Sequence, residues 1–111
     1  MRLLLILMSP PGTPGFKTAV NLAETALRRG HEAIIFGTGD GVENLKKNAV
    51  DPLAPRLAEL LEMKGRLLVC RESTRRRIPS AETDLMKGVE MSSLAEMVEL
   101  VDSCDKTLVF S

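Results

Sequence analysis

The sequence has few of the residues that cross-link a fold or hold a metal ion. Its 111 residues include two cysteines, Cys70 and Cys104, and one histidine, His31. Two cysteines are too few for a disulfide framework, and we therefore expect a reducing, cytoplasmic setting. Because cysteine and histidine do not cluster, we predict no metal site and interpret His31 as the polar start of a strand.

The chain also lacks an excess of either charge. Lysine plus arginine equals aspartate plus glutamate, with 15 residues of each sign. General nucleic-acid binders and membrane-surface binders favour a clear basic excess, so we predict neither kind of partner. The equal totals conceal two segments of opposite charge. Basic residues dominate positions 64–78, and acidic residues dominate positions 79–105.

Long hydrophobic runs are missing, and no apolar stretch approaches the length that crosses a membrane. The first run, Leu3–Met8, follows an arginine, as the apolar region of a secretory signal peptide does. It has only six residues before Ser9 and a Pro-Pro-Gly sequence, so we interpret it as a buried strand. With no repeat, low-complexity tract or linker, the chain is predicted to form one domain over residues 1–111.

Continuous apolar runs alternate with helical patterns along the chain. Four runs are typical of strands buried on both faces of a parallel sheet: Leu3–Met8, Ala33–Phe36, Leu67–Cys70 and Thr107–Phe110. A weaker run, Val89–Met91, predicts a short edge strand. This alternation predicts a three-layer α/β/α domain with the four runs adjacent in a mostly parallel sheet.

Helical periodicity appears between the strands as three apolar stripes, each predicting one helix face. The stripes are Phe16, Val20, Ala23 and Leu27 in the first helix, Leu53, Leu57, Leu60 and Leu61 in the second, and Leu94, Met97, Val98 and Val101 in the third. Either Asp51 with Pro52 begins the second helix, or Pro55 delays its start by a turn. Ser93 with Glu96 fits a capping box for the third helix. Short helical pieces are expected near residues 41–47 and 80–86.

Polar and reactive residues follow the predicted strands at their carboxyl ends, where open α/β sheets bind ligands. Ser9 follows the first strand, Asp40 lies in the sequence GTGDG after the second, and Cys70 ends the third. Asp40 either belongs to a tight turn or lines a site. The sequence RESTRRR follows Cys70 directly.

The setting of Cys70 favours a thiolate. Backbone N–H groups of the following turn and the charges of Arg71 and Arg75–Arg77 would stabilise the anion, and Ser73 either caps that turn or donates to the sulfur. Because polar residues follow Cys70, we expect an exposed strand tip and a lowered pKa. The alternative is that Cys70 is a small buried apolar residue and the arginine run is a solvated surface.

The second cysteine and the glycine-rich first loop carry weaker signals. Cys104 stands beside two aspartates at the start of the last strand, so we interpret it as structural and predict no disulfide with Cys70. The sequence GTPGFKT (Gly12–Thr18) lacks the glycine before the lysine that a phosphate-binding loop needs. Its prolines also remove amide donors, which disfavours nucleotide binding there.

The order and spacing of several segments resemble the DsrE/DsrF-like group, which includes YchN-like proteins and sulfur-relay subunits. The segments are the first strand with its Ser-Pro turn, LRRGHEAIIFGTGDGV (Leu27–Val42), GRLLVC (Gly65–Cys70) and GVEMSSLAEMVELVDSCDKTLVF (Gly88–Phe110). The resemblance implies a flavodoxin- or Rossmann-like domain with a mostly parallel five-stranded sheet that assembles as a trimer or hexamer. It also implies a cysteine after the third main strand that holds sulfur as a persulfide, and Cys70 matches that position.

Two functions from different classes remain open. In the first, a sulfurtransferase or sulfur-relay carrier uses Cys70 to accept sulfane sulfur from a protein donor and pass it to a partner thiol without a cofactor. Besides Cys70, the residues predicted to line this site are Ser9, Asp40, Arg71, Ser73, Arg75, Arg76 and Arg77. In the second, an oligomeric, non-catalytic assembly module binds an acidic partner through its basic face, and Cys70 only packs. A binder of small anions or nucleotides at the strand tips is a third, weaker alternative.

Overall fold

The protein is described by a computed structural model that covers residues 1–49 and 52–111. Five strands in these ranges form one sheet: β1 (Arg2–Leu7), β2 (Glu32–Gly37), β3 (Arg66–Cys70), β4 (Glu90–Ser92) and β5 (Lys106–Phe110). The α-helices are α1 (Pro14–Arg28), α2 (Ala54–Glu62), α3 (Arg71–Arg77), α4 (Ala81–Asp84) and α5 (Leu94–Ser103), and a 3₁₀ helix spans Gly39–Leu45. Among the described residues, no helix combines the length and apolarity needed to span a membrane.

The sheet is fully parallel, with the strand order β4-β3-β2-β1-β5. The chain moves in one direction from β1 to β4 and then crosses the whole sheet to reach β5. Because parallel crossovers are right-handed, the first three connections lie on one face and the last connection, with α5, lies on the other. The structure therefore confirms the predicted three-layer α/β/α architecture.

Alternate residues of each inner strand enter two separate apolar clusters. On β1, Leu3, Leu5 and Leu7 join the cluster that contains Phe16 of α1. Leu4 and Ile6 point to the opposite face. Both faces are covered, which explains why the strands read as continuous apolar runs in the sequence.

Local signals set where the helices begin. Thr13 caps α1, since its hydroxyl oxygen accepts a hydrogen bond of 3.4 Å from the Phe16 N–H, and Ser93 caps α5 by accepting one of 3.1 Å from the Glu96 N–H. The α2 helix begins at Ala54. Asp51, one of the two predicted starts of α2, lies outside the described residues.

The apolar stripe of α5 does not pack on the sheet as predicted. Of the predicted stripe, Met97 is partly buried, but Leu94, Val98 and Val101 are 52%, 66% and 45% exposed. Leu100, which was not in the predicted stripe, is the buried residue of the helix. Among the described helices, α5 is alone on its face of the sheet. The residues that flank its line of contact therefore have no second helix against which to pack.

Gly41 allows the 3₁₀ helix to lie directly against the end of β1. A Cβ atom at Gly41 would overlap the carbonyl oxygen of Leu7. Val42 and Leu45 anchor the same helix in the core. The close approach holds the 3₁₀ helix, which follows β2, beside β3 and α3. Cys70 lies where those two elements meet.

Candidate functional site around Cys70

Cys70 joins β3 to α3 without an intervening loop. Its backbone is still extended, with φ −70° and ψ 125°, and α3 begins at the next residue. The Thr74 hydroxyl donates a 2.7 Å hydrogen bond to the Cys70 carbonyl oxygen, which holds the sharp change of direction. The Cys70 side chain joins the cluster on the α5 face of the sheet.

Cys70 is only 2% exposed. The expectation of an exposed strand tip was therefore wrong, although the residues after Cys70 are polar. The polar stretch folds into α3 at once and turns Arg71 and Glu72 outward to solvent. The sulfur remains at the carboxyl edge of the sheet but beneath the surface.

The surroundings of Cys70 act on its pKa in opposite directions. Burial, the largest single influence, raises the pKa of the Cys70 thiol, but hydrogen bonds from the Ser73 N–H, the Ser73 hydroxyl, the Glu72 N–H and the Thr38 hydroxyl lower it. Together they outweigh the burial, and the pKa of Cys70 lies below that of an ordinary cysteine. The Cys70 thiol therefore loses its proton more readily than an ordinary cysteine does, although it is buried.

The two hydroxyl donors belong to one network that connects β2 with α3. The Ser73 hydroxyl oxygen accepts a 2.9 Å hydrogen bond from the Gly39 N–H and lies 3.3 Å from the Thr38 hydroxyl oxygen. The Ser73 hydroxyl therefore keeps its own hydrogen for donation, and either hydroxyl can be the donor in the contact between Thr38 and Ser73. Gly39 has a positive φ of 54°, a conformation that glycine adopts readily.

Sequence reasoning included Ser73 but missed Thr38. The parallel register places the end of β2 beside the end of β3, with Gly37 opposite Val69. Thr38 follows Gly37 at the end of the neighbouring strand, and its hydroxyl is among the groups that lower the pKa of Cys70. A hydroxyl residue directly after a strand adjacent to the one that carries the cysteine is the signal that could have identified it.

The arginines lie around the site on the surface. The Arg77 Nε lies 3.1 Å from an Asp40 carboxylate oxygen, and an Arg75 Nη1 lies 3.6 Å from Glu72. Arg71 and Arg76 are exposed. None of their charges is among the causes of the lowered pKa of Cys70. The predicted direction of the shift agrees with the structure, but hydrogen bonds account for it.

Asp40 and Ser9 take different places in the structure. Through its ion pair with Arg77, Asp40 ties the 3₁₀ helix to α3. Ser9 is buried against Gly15 of α1, where a Cβ atom would overlap the Ser9 hydroxyl. Its carbonyl oxygen accepts a 2.8 Å hydrogen bond from the Asn44 amide. Asp40 thus joins the surroundings of α3, whereas Ser9 packs between α1 and the 3₁₀ helix.

The two cysteines are both free thiols. Cys104 is partly buried and immediately precedes Asp105 and β5, at the amino edge of the sheet. Cys70 ends its strand at the carboxyl edge. The arrangement agrees with the prediction that they do not pair.

Solved structures with the same fold include the YchN protein of E. coli. Its structure superimposes with a TM-score of 0.80 and 20% identity, over 98% of this chain and 97% of that chain. A protein of unknown function from Methanobacterium thermoautotrophicum gives a TM-score of 0.69 and 15% identity, over 95% of this chain and 96% of that chain. At these identities the likeness shows the fold alone.

Sequence relatives cover nearly the whole chain. An uncharacterized protein of Methanopyrus kandleri is 32% identical over 92% of this chain and 87% of its own length. A Pseudomonas aeruginosa protein described as a sulfurtransferase TusD homolog is 29% identical over 99% of this chain and 97% of its own. The sequence profile of the DsrE/DsrF-like family matches residues 1–110, and this chain is a member of that family.

Proposed function

We propose that the protein is a sulfur carrier in which Cys70 accepts sulfane sulfur as a persulfide and passes it to an acceptor thiol. The observation that carries the proposal is the position of Cys70 between β3 and α3 at the carboxyl edge of the sheet, where neighbouring amide and hydroxyl groups lower its pKa. Family membership and the relative described as a sulfurtransferase homolog support it. We place this activity in the cytoplasm, with a protein as sulfur donor or acceptor.

Loading needs a thiolate and a donor persulfide. The Cys70 thiolate attacks the outer sulfur of a hydropersulfide R–S–SH, forms Cys70–S–SH and releases RS⁻, so no oxidant or cofactor is consumed. The lowered pKa of Cys70 raises the fraction of thiolate at neutral pH, although each thiolate is somewhat less nucleophilic. The arginines on α3 supply positive charge where an anionic donor or product approaches, with Arg71 and Arg76 both exposed to solvent.

The test is transfer from loaded protein. The protein is treated with inorganic polysulfide, freed of excess reagent by gel filtration and mixed with cyanide, which takes sulfane sulfur as thiocyanate. Wild type and Cys104→Ser should release close to one equivalent of thiocyanate per chain, and Cys70→Ser should release almost none. Equal release from Cys70→Ser would contradict the proposal.

We also propose that the protein assembles with copies of itself, as a trimer or hexamer. The exposed apolar residues of α5 supply a candidate contact surface, together with Val109 on the edge strand β5, which is 58% exposed on the same face of the sheet. Edge strands and contiguous exposed apolar residues are common sites of association. This surface is also the observation that favours the second candidate function, an assembly module in which Cys70 has no chemical role.

A further inference from the structure

We propose that a cleft at the carboxyl-terminal end of α3 binds a small zwitterion, a molecule that carries both an ammonium and a carboxylate group, as a free α-amino acid does. The cleft has a volume of about 270 Å³ and is lined by Lys46, Asn48, Arg77, Ile78, Pro79 and Asp84. Cys70 is not among these residues, and its side chain belongs to the cluster on the α5 face of the sheet. The cleft is therefore separate from the sulfur site and does not depend on sulfur transfer.

Backbone hydrogen bonds hold the walls of the cleft in place. The Lys47 N–H donates a 2.6 Å bond to the Asp84 carbonyl oxygen, and the Met86 N–H donates a 2.9 Å bond to the Leu45 carbonyl oxygen. These bonds pair the end of the 3₁₀ helix with the end of α4 in antiparallel direction. Ile78, which lines the cleft, is buried in the apolar cluster that includes residues of α1. The cleft is thus a fixed feature of the fold on the α1 face of the sheet.

Two half-buried cations offer hydrogen bonds to a carboxylate. The Arg77 Nε donates to an Asp40 carboxylate oxygen at 3.1 Å, and the Lys46 Nζ lies 2.6 Å from a Glu43 carboxylate oxygen. A guanidinium has five N–H donors and an ammonium has three, so both groups keep donors for a ligand. The Arg77 and Lys46 side chains are only 30% and 38% exposed. Reduced contact with water strengthens their attraction for a negative group.

The charges around the cleft favour a zwitterion over a simple anion. Lys46 and Arg77 are already matched by the carboxylates of Glu43 and Asp40, and Asp84 adds a third carboxylate to the surroundings. A multivalent anion such as phosphate would therefore meet repulsion as well as attraction. Asp84 is exposed and forms no ion pair with any other described residue. Its carboxylate is available to an ammonium group while the two cations bind a carboxylate.

The size and the remaining lining of the cleft agree with a ligand as small as an amino acid. Pockets for drug-sized ligands have volumes of roughly 300–1,000 Å³, and this cleft is smaller. Ile78 and Pro79 offer apolar contact to a ligand side chain, and Asn48 adds an amide that can donate or accept a hydrogen bond.

Two-dimensional amide NMR titrations of the full chain measure binding through the signals of the cleft residues. The probes are L-leucine, N-acetyl-L-leucine, which has no ammonium group, L-leucinamide, which has no carboxylate, and inorganic phosphate. The variants are Asp84→Asn, Lys46→Gln and Arg77→Gln. Lys47→Gln is the matched control, because Lys47 is exposed next to Lys46 but does not line the cleft.

L-Leucine should bind wild type, Lys47→Gln and Cys70→Ser with the same dissociation constant. Asp84→Asn should weaken the binding of L-leucine about fivefold, the effect of one partly exposed charge pair. It should leave N-acetyl-L-leucine unaffected, because that probe has no ammonium group for Asp84 to contact. Lys46→Gln and Arg77→Gln should weaken N-acetyl-L-leucine and leave L-leucinamide unaffected. Each comparison is made between probes on the same variant, so partial loss of folded protein does not mimic this pattern.

Three results overturn the proposal. The first is that L-leucine does not shift the amide signals of the cleft in wild type. The second is tighter binding of phosphate than of L-leucine, which would make the cleft a simple anion site. The third is equal weakening of L-leucine and N-acetyl-L-leucine by Asp84→Asn, which would mean that Asp84 does not contact the ammonium group. Failure of Cys70 to carry sulfur overturns the proposed function and leaves this site standing.

Discussion

At the scale of residues, the chemistry of the site depends on hydrogen bonds to one sulfur. We expect Ser73→Ala to raise the pKa of Cys70 by about one unit, because a charge-assisted hydrogen bond contributes about 1.5 kcal/mol and one pKa unit equals about 1.4 kcal/mol. The measurement is the rate of alkylation by iodoacetamide against pH in a Cys104→Ser background.

Arg76→Gln is the matched test of the alternative cause. Arg76 is exposed and its charge is not among the causes of the lowered pKa. We expect the alkylation profile of Arg76→Gln to move much less than that of Ser73→Ala. A larger shift in Arg76→Gln would mean that the electrostatic field of the arginines, and not the hydrogen bonds, sets the pKa of Cys70.

The same pKa shift makes stability depend on pH. Because the pKa of Cys70 is lowered on folding, the unfolded chain holds the thiol proton over a pH range in which the folded chain has lost it. The contribution of Cys70 to the free energy of unfolding is therefore present above the pKa of an ordinary cysteine and is lost as pH falls through the folded pKa. Urea denaturation should show the stability of wild type relative to Cys70→Ser increasing with pH across that window. A difference that is flat or decreases with pH would contradict the lowered pKa.

At the scale of elements, the position of the 3₁₀ helix depends on Gly41. We expect Gly41→Ala to lower the free energy of unfolding by at least about 2 kcal/mol, because its Cβ atom would meet backbone rather than a flexible side chain. Gly30→Ala is the control for conformational strain alone. Gly30 has a φ of 84° and open space around it, so the expected loss is about 1 kcal/mol. Urea denaturation measures the free energy of unfolding of both variants. Equal losses would mean that the backbone at Leu7 moves and so avoids the overlap with the new Cβ atom.

The elements also show what the sequence can predict. The inner strands were predictable because residues such as Leu4 and Leu5 are buried on opposite faces and leave a continuous apolar run. The apolar stripe of α5 wrongly suggested that Val98 is buried, because helical periodicity does not show how many helices cover a face of the sheet. Thr38 was missed because its closeness to Cys70 arises from strand register, which local sequence does not contain.

At the scale of the whole molecule, the exposed apolar residues of α5 and β5 form the proposed contact between copies of the chain. We expect light scattering at micromolar concentration to give the mass of three or six chains of 12.1 kDa each. Replacing both Val98 and Val101 with lysine should reduce the mass towards that of one chain, since lysines would be desolvated in a contact. Leu22→Lys is the matched control, because Leu22 is 38% exposed on α1, on the opposite face of the sheet. A wild-type mass of one chain would contradict assembly, and equal effects of the two changes would place the contact elsewhere.

The central claim is that Cys70 carries sulfur, and intact mass spectrometry after exposure to a persulfide donor tests it most directly. Wild type and Cys104→Ser should gain the mass of one sulfur atom, lose it on treatment with a reductant, and show the added sulfur on the peptide that contains Cys70. Cys70→Ser should gain no such mass under the same conditions. A gain on Cys104 alone, or an equal gain in Cys70→Ser, would contradict the account.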